Sequence, residues 1–176
     1  MFSEIQASFL GDQWRFQAPA NEWVWVSAPF NAQNINAVSA NVTPAYVAGG
    51  TLAEAGVVCT DAATAKALFA FFEDGEGDWE IDGVDESGNS MVLSSGVTRL
   101  VGGDITGTCA PGSGNTSRLV LEVAGLPVGS TTAARAAPPH WSGGVAVSSA
   151  PGGPAATFTF SNFSLTRLPV RESPIS

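Results

Sequence analysis

A chain of 176 residues with 13% charged residues and a formal net charge of −9 is one domain by length. Its six arginines and single lysine, Lys66, cannot lay a basic track along nucleic acid, and the same balance disfavours an anionic membrane surface. No apolar run approaches the ~20 residues needed to span a bilayer, and a 44% share of hydrophobic residues argues against disorder.

Turn residues punctuate the chain throughout, and no stretch holds helical periodicity over twelve residues. Two short outer strands fit residues 1–22. Asn21–Ala28 follows, with Trp23, Trp25 and Ser27 on one face, Val24 and Val26 on the other, and Pro29 as its terminator. Ile35–Val47 alternates cleanly, turning Val38, Ala40 and Val42 one way and Ser39, Asn41 and Thr43 the other. Ala55–Thr60 is the next strand and carries Cys59.

Leu68–Phe72 is short, continuous and aromatic, as a central strand is. Two glycine-bearing turns, Asp74–Gly77 and Glu86–Asn89, then frame Trp79–Val84. There Trp79 and Ile81 face inward, while Glu80 and Asp82 face out. Met91–Ser94 closes the meander. Residues 96–116 read as a long loop or weak strand that carries Cys109. Arg118–Ala124 turns Leu119, Leu121 and Val123 inward. Residues 125–142 read as irregular chain, Val145–Ser148 as a short strand, and Ala156–Leu168 as the last strand, with a bulge near Ser161–Asn162 where its phase slips. About ten short strands mean an all-β sandwich or barrel. The expected arrangement is one domain over residues 1–169 with a C-terminal tail at 170–176.

The two cysteines contain no CxxC pair, which favours one Cys59–Cys109 disulfide over zinc. A disulfide implies an oxidising compartment, hence an extracellular or cell-surface location. The start, MFSEIQASFL, has neither a basic n-region nor an apolar h-region, so any export signal or anchor is expected to be absent from this chain.

The succession WVWVSAP, AEAGVVCTD, a Phe-rich strand, DGEGDWEID, VLSSG, RLVLEVAGLPV, GGVAV and FTFSNFSLTRL resembles a concanavalin-like jelly roll. It is similar to the glucanase-like and laminin-G-like modules of bacterial, especially actinobacterial, secreted and surface proteins. The resemblance covers roughly residues 20–168. It implies an all-β, two-sheet antiparallel jelly-roll sandwich with little or no helix.

Family-16 glycoside hydrolases share that fold and carry E-x-D-x-x-E on an inner strand, with the outer carboxylates as nucleophile and acid/base. Glu80 and Asp82 match its first two places. The third is Asp85, one methylene short, and using Glu86 instead inserts a residue and flips the face. Eight of the sixteen acids lie between Glu73 and Glu86, a density that could hold Ca²⁺. Trp79 stands where a calcium loop needs glycine, however, and charged edges that block sheet-to-sheet pairing are the preferred account. No other cofactor or metal is expected.

The five tryptophans suggest carbohydrate stacking, with Trp25, Trp79 and Trp141 as platforms and Trp141, in a loop, the most exposed. His140 is the only histidine, so no His-based triad is available, and Pro138–Trp141 reads as a rigid loop. The expected function is an extracytoplasmic, non-catalytic binding or sensing module for a glycan or cell-surface ligand. Two other readings stand beside it: a glycoside hydrolase using Glu80, Asp82 and Asp85 or Glu86, and a structural or protein-interaction ectodomain.

Overall fold

The computed structural model describes residues 8–10, 13–27, 37–50, 52–149 and 152–168. The Pro29 terminator and the 170–176 tail lie outside the described residues. Thirteen strands and no helix occur among the described residues, and none of them could form a helix that crosses a membrane.

One sheet has seven strands in the spatial order β1 (Ser8–Leu10), β2 (Gln13–Ala18), β13 (Ala156–Arg167), β4 (Val38–Ala48), β9 (Ile105–Pro111), β10 (Ser117–Val123), β11 (Leu126–Ala133). The other has six, in the order β3 (Trp23–Ser27), β12 (Trp141–Ser148), β5 (Glu54–Asp61), β6 (Ala67–Glu73), β7 (Asp78–Val84), β8 (Ser90–Val97). All pairings are antiparallel.

The core lies between the sheets because each strand alternates. From the seven-stranded sheet come Val38, Ala40, Val42, Leu119, Leu121, Val123, Phe158 and Phe160, and from the other Val57, Phe69, Phe71, Ile81, Val145 and Val147, all buried. Large rings fit because glycines face them. A Cβ at Gly107 would strike the ring of Phe71, and one at Gly129 would strike the indole of Trp79. Cys59 in β5 and Cys109 in β9 form a disulfide that ties one sheet to the other, with Cα atoms 6.5 Å apart. Closing a loop across 50 positions is worth about 4 kcal/mol in the chain-entropy model.

The structure adds two strands to the expected set. Residues 125–142 are not all irregular, since Leu126–Ala133 folds back on β10 as β11. Ile105–Pro111 is a full strand between β4 and β10. The first was obscured by an unusual turn. Ala124 and Gly125 make a two-residue hairpin with φ of 51° and 77°, the left-handed geometry of a type I′ turn, which usually announces itself with Asn-Gly. In β13 the register shifts between Ser161 and Ser164, with Asn162 at φ 55°, which places a bulge there.

Two expected outcomes follow from these features. Replacing both cysteines by alanine lowers stability by about 4 kcal/mol, read as a shift of the denaturant midpoint. Ala124→Asn, which tolerates the left-handed region better, raises stability by about 1 kcal/mol. A midpoint unmoved in the first case, or lowered in the second, contradicts the corresponding account.

Candidate functional site

Residues that cannot face the core of the six-stranded sheet must face outward, and register sets them in rows. One row runs Trp25, Ala146, Gly56, Phe72, Glu80, Ser95. Its neighbour runs Ser27, Gly144, Val58, Ala70, Asp82, Val92. The middle of this face is therefore paved with glycine, alanine and valine. Gly56 and Gly144 are obligatory, since an added Cβ would run into the carbonyl of Phe71 or of Val26 on the adjoining strand. Gly56, Val58, Ala70, Phe72, Gly144 and Ala146 are nonetheless buried, so this face has a covered middle between an aromatic β3 end and an acidic β7 end.

At the aromatic end, Trp23 and Trp25 stack with ring centroids 4.8 Å apart and planes 24° apart. Trp23 also meets Phe72 edge-on at 6.3 Å. Its Nε1 donates to the carbonyl of Gly88 at 3.2 Å. Gly88 belongs to the β7–β8 turn, so this bond joins an edge strand to the far side of the sheet across the outer face. Val58, Ala70 and Ala146 beneath are fully buried.

At the acidic end stand three acids, Glu54 on β5 and Glu80 and Asp82 on β7. Glu54, opening β5, is pushed up to about 8, first by burial and then by the charges of Glu80 and Asp82, a hydrogen bond with Glu80, and Asp74. Asp82 is pushed up to about 7 by burial and by Glu80, against a lowering hydrogen bond from Ser90. Glu80 is also raised by burial, and its hydrogen bond with Glu54 opposes that rise. Glu54 thus holds a proton and donates it to Glu80. Asp82 is 2% exposed, and its Oδ1 has no hydrogen-bond partner.

The other acids of this region serve the backbone. Asp74 Oδ1 accepts from the amides of Glu76, Gly77 and Asp78 at 2.8, 3.0 and 3.1 Å, closing the β6–β7 turn. Asp85 Oδ1 accepts from the amides of Ser87 and Asn89 at 2.8 and 2.9 Å, and its Oδ2 from the Asn89 side chain at 2.9 Å. These bonds, the Asn89 side chain foremost, hold Asp85 below the usual carboxylate range. Glu86 is exposed in the same turn. Neither Asp85 nor Glu86 joins Glu80 and Asp82 on the sheet face, because β7 ends at Val84. Glu54, from a strand two places away, fills the third position instead.

The tryptophans divide equally sharply. Trp25 stands half-buried on the outer face, with Trp23 beside it. Trp79 is 8% exposed and lies between the sheets, its indole held between Gly96 and Gly129. Trp141 is not in a loop. It opens β12, is fully buried and packs 6.1 Å from Phe69. Neither of these two presents a ring face to a ligand, which corrects the expectation that they are platforms. His140 precedes Trp141 with its Nδ1 buried and unpartnered. Among the described residues no group of three His, Cys, Asp or Glu has the geometry to hold a metal ion. An apolar cavity of about 380 Å³ opens elsewhere, lined by Phe69, Met91, Leu93, Ala133 and Arg135.

No protein-family model matches the chain, and no curated protein matches it by sequence. Solved structures do. A functionally unknown protein from Saccharomyces cerevisiae aligns with a TM-score of 0.59 at 14% identity, covering 93% of this chain and 92% of that one. A carbohydrate-binding module from Bacillus subtilis aligns with a TM-score of 0.59 at 10% identity, covering 92% and 91%. A legume lectin-like domain from Entamoeba histolytica aligns with a TM-score of 0.58 at 9% identity, covering 94% and 89%. The chain has the concanavalin-like jelly-roll fold. At these identities the likeness is one of fold.

The carboxyl cluster has a direct thermodynamic consequence. Its members titrate at ordinary values when unfolded and hold their protons to higher pH when folded, so the folded state binds more protons in between. Their contribution is fully present below about pH 4 and is lost as pH rises through the folded values, about 7 for Asp82 and about 8 for Glu54. Thermal midpoints are expected to fall between pH 5 and pH 8, and Glu54→Gln, which has no proton to lose, is expected to flatten that fall. A profile that rises over this range, or is unchanged by the substitution, contradicts the cluster.

Proposed function

We propose that this chain is an extracytoplasmic, non-catalytic carbohydrate-binding module that holds glycan along the outer face of its six-stranded sheet. The observation that carries the reading is the stacked, half-buried Trp23–Trp25 pair on the outer face of that sheet, with Glu54 and Glu80 partly exposed on the same face. Sugars present C–H faces that pack on aromatic rings and hydroxyls that donate to carboxylates. The neighbours that bear the names carbohydrate-binding module and lectin-like domain lend support from fold, and the Cys59–Cys109 disulfide supports a location outside the cytosol.

Two observations favour binding over glycoside hydrolysis. Asp85 and Glu86 lie beyond the end of β7 at Val84 and do not stand with Glu80 on the sheet face, where a retaining pair must sit about 5–5.5 Å apart. Asp85, at the third place of the hydrolase pattern, is committed to its own turn. The interaction-domain reading has one observation in its favour: the β8 edge strand exposes Met91, Val92 and Val97.

Glycan-array screening followed by calorimetric titration of each hit tests the reading. Trp25→Ala is expected to weaken a genuine hit at least tenfold, while Glu122→Gln on the opposite sheet leaves it unchanged. Blank arrays across neutral, acidic and basic glycans, with concentration-dependent self-association lost on Val92→Lys, would replace the module by an interaction domain.

A further inference from the structure

Strands β8 and β11 are edges of the two sheets and lie against each other across the sandwich. An edge strand presents backbone groups with no strand to receive them, a template for pairing with another chain. Strand β11 is blunted. Its Pro127 has no amide hydrogen to give, and the register against β10 shifts beside it. Strand β8 has no such guard in its composition. Its sequence, SMVLSSGV, holds no charge and no proline, and Val92 and Val97 are 51% and 77% exposed.

The backbone of β8 is complementary to itself. The amide of Thr98 donates to the carbonyl of Gly77 at 2.7 Å, and the amide of Asp85 donates to the carbonyl of Asn89 at 2.9 Å, so Thr98 and Asn89 face β7. Backbone groups alternate along an antiparallel strand. Counting inward from these two ends, Ser90, Val92, Ser95 and Val97 direct theirs to the open side. In a regular strand, residues three apart face opposite ways. Here Val92 and Ser95 face the same way, because Leu93 is an extra residue in the register with β7 and packs against the core. Two copies laid antiparallel about an axis between Leu93 and Ser94 therefore set Val92 against Ser95 and Ser90 against Val97. Every open group then meets an open group.

Charge favours the same arrangement. A chain with a net charge of −9 repels its own copy, so self-association needs an uncharged contact with opposite charges at its ends. Exposed Glu86 lies in the turn before β8, and exposed Arg99 follows the strand by two residues. Antiparallel pairing about that axis brings Arg99 of each copy opposite Gly88 of the other, near its Glu86. Parallel pairing would set arginine beside arginine and glutamate beside glutamate.

We propose that β8 is a dimerisation edge, through which a second copy of this chain joins antiparallel so that two six-stranded sheets become one continuous sheet. The same surface serves both copies, so the assembly closes as a dimer. An edge-to-edge contact is small and gives weak association, with a dissociation constant on the order of 10 μM. The inference does not rest on the glycan reading, since β3 and its tryptophans are at the opposite edge of the sheet.

The test is sedimentation velocity of the intact protein over a concentration range from well below to well above that constant. A reversible monomer–dimer equilibrium is expected, with no larger species. Val92→Lys and Arg99→Glu should each weaken it at least tenfold, and adding Glu86→Arg to Arg99→Glu should restore it. Leu126→Lys on β11 should leave it unchanged. Amide exchange at Val92 and Ser95 should slow as concentration rises, and Val92→Lys should keep the thermal midpoint of the dilute native protein. A monomer at every concentration overturns the proposal. A dimer kept in Val92→Lys and lost in Leu126→Lys overturns it in favour of the β11 edge. A dimer lost in Val92→Lys but untouched by Arg99→Glu overturns the antiparallel arrangement, and growth beyond two copies overturns the closed pair.

Discussion

Strand β7 can keep Trp79 in its slot between Gly96 and Gly129 in one register only. The indole fills space that a Cβ on either glycine would occupy, and Ile81, two residues on, is wholly buried on the same side. Side chains alternate along a strand with a period of two, so seating Trp79 and Ile81 inside forces Glu80 and Asp82 outside. Pairing with β6 then places these acids beside Phe72 and Ala70, and pairing onward through β5 and β12 aligns Glu80 with Trp25 and Asp82 with Ser27. The placing of these acids on the outer face is thus a by-product of core packing. A slip of one residue in β7 would bury two acids between the sheets and expose a tryptophan, which the hydrophobic term alone opposes by several kcal/mol.

The core was legible because alternation is strong where one face is apolar and the other is not. Val38, Ala40 and Val42, like Leu119, Leu121 and Val123, lie where that pattern puts them. Individual tryptophans were less so. Trp141 follows Pro138, Pro139 and His140, which read as loop, yet it opens a strand and vanishes into the core. Nothing local distinguishes a strand's first residue from a loop's last. Strand β11 was hidden because Ala124 adopts a turn conformation that asparagine or glycine normally announces. Glu54 joins the site through strand order, a non-local property, so no spacing along the chain could have paired it with Glu80. The E-x-D-x-x-E spacing, in contrast, pointed to a third carboxyl that the chain spends on a turn.

Acids in this protein divide by what answers their charge. Asp74 and Asp85 are met by backbone amides and stabilise hairpins, an inexpensive use of a carboxylate in an antiparallel fold. Glu54, Glu80 and Asp82 are met chiefly by each other, and their protons are retained because ionising all three in a half-dry site is unfavourable. Stability alone would select amides or hydroxyls at those positions. Their presence is the kind of local conflict with folding that accompanies a working surface.

The hydrogen bond from Trp23 to Gly88 ties the first strand of a sheet to a turn beyond its fifth, as a string ties the two ends of a bow. A bond of this kind contributes only about 1 kcal/mol net, since water competes for both groups. The stack on Trp25 and the edge contact with Phe72 hold the same indole in addition to that bond. The outer face of the sheet is therefore closed over by one of its own side chains, above a core that is cross-linked to the other sheet.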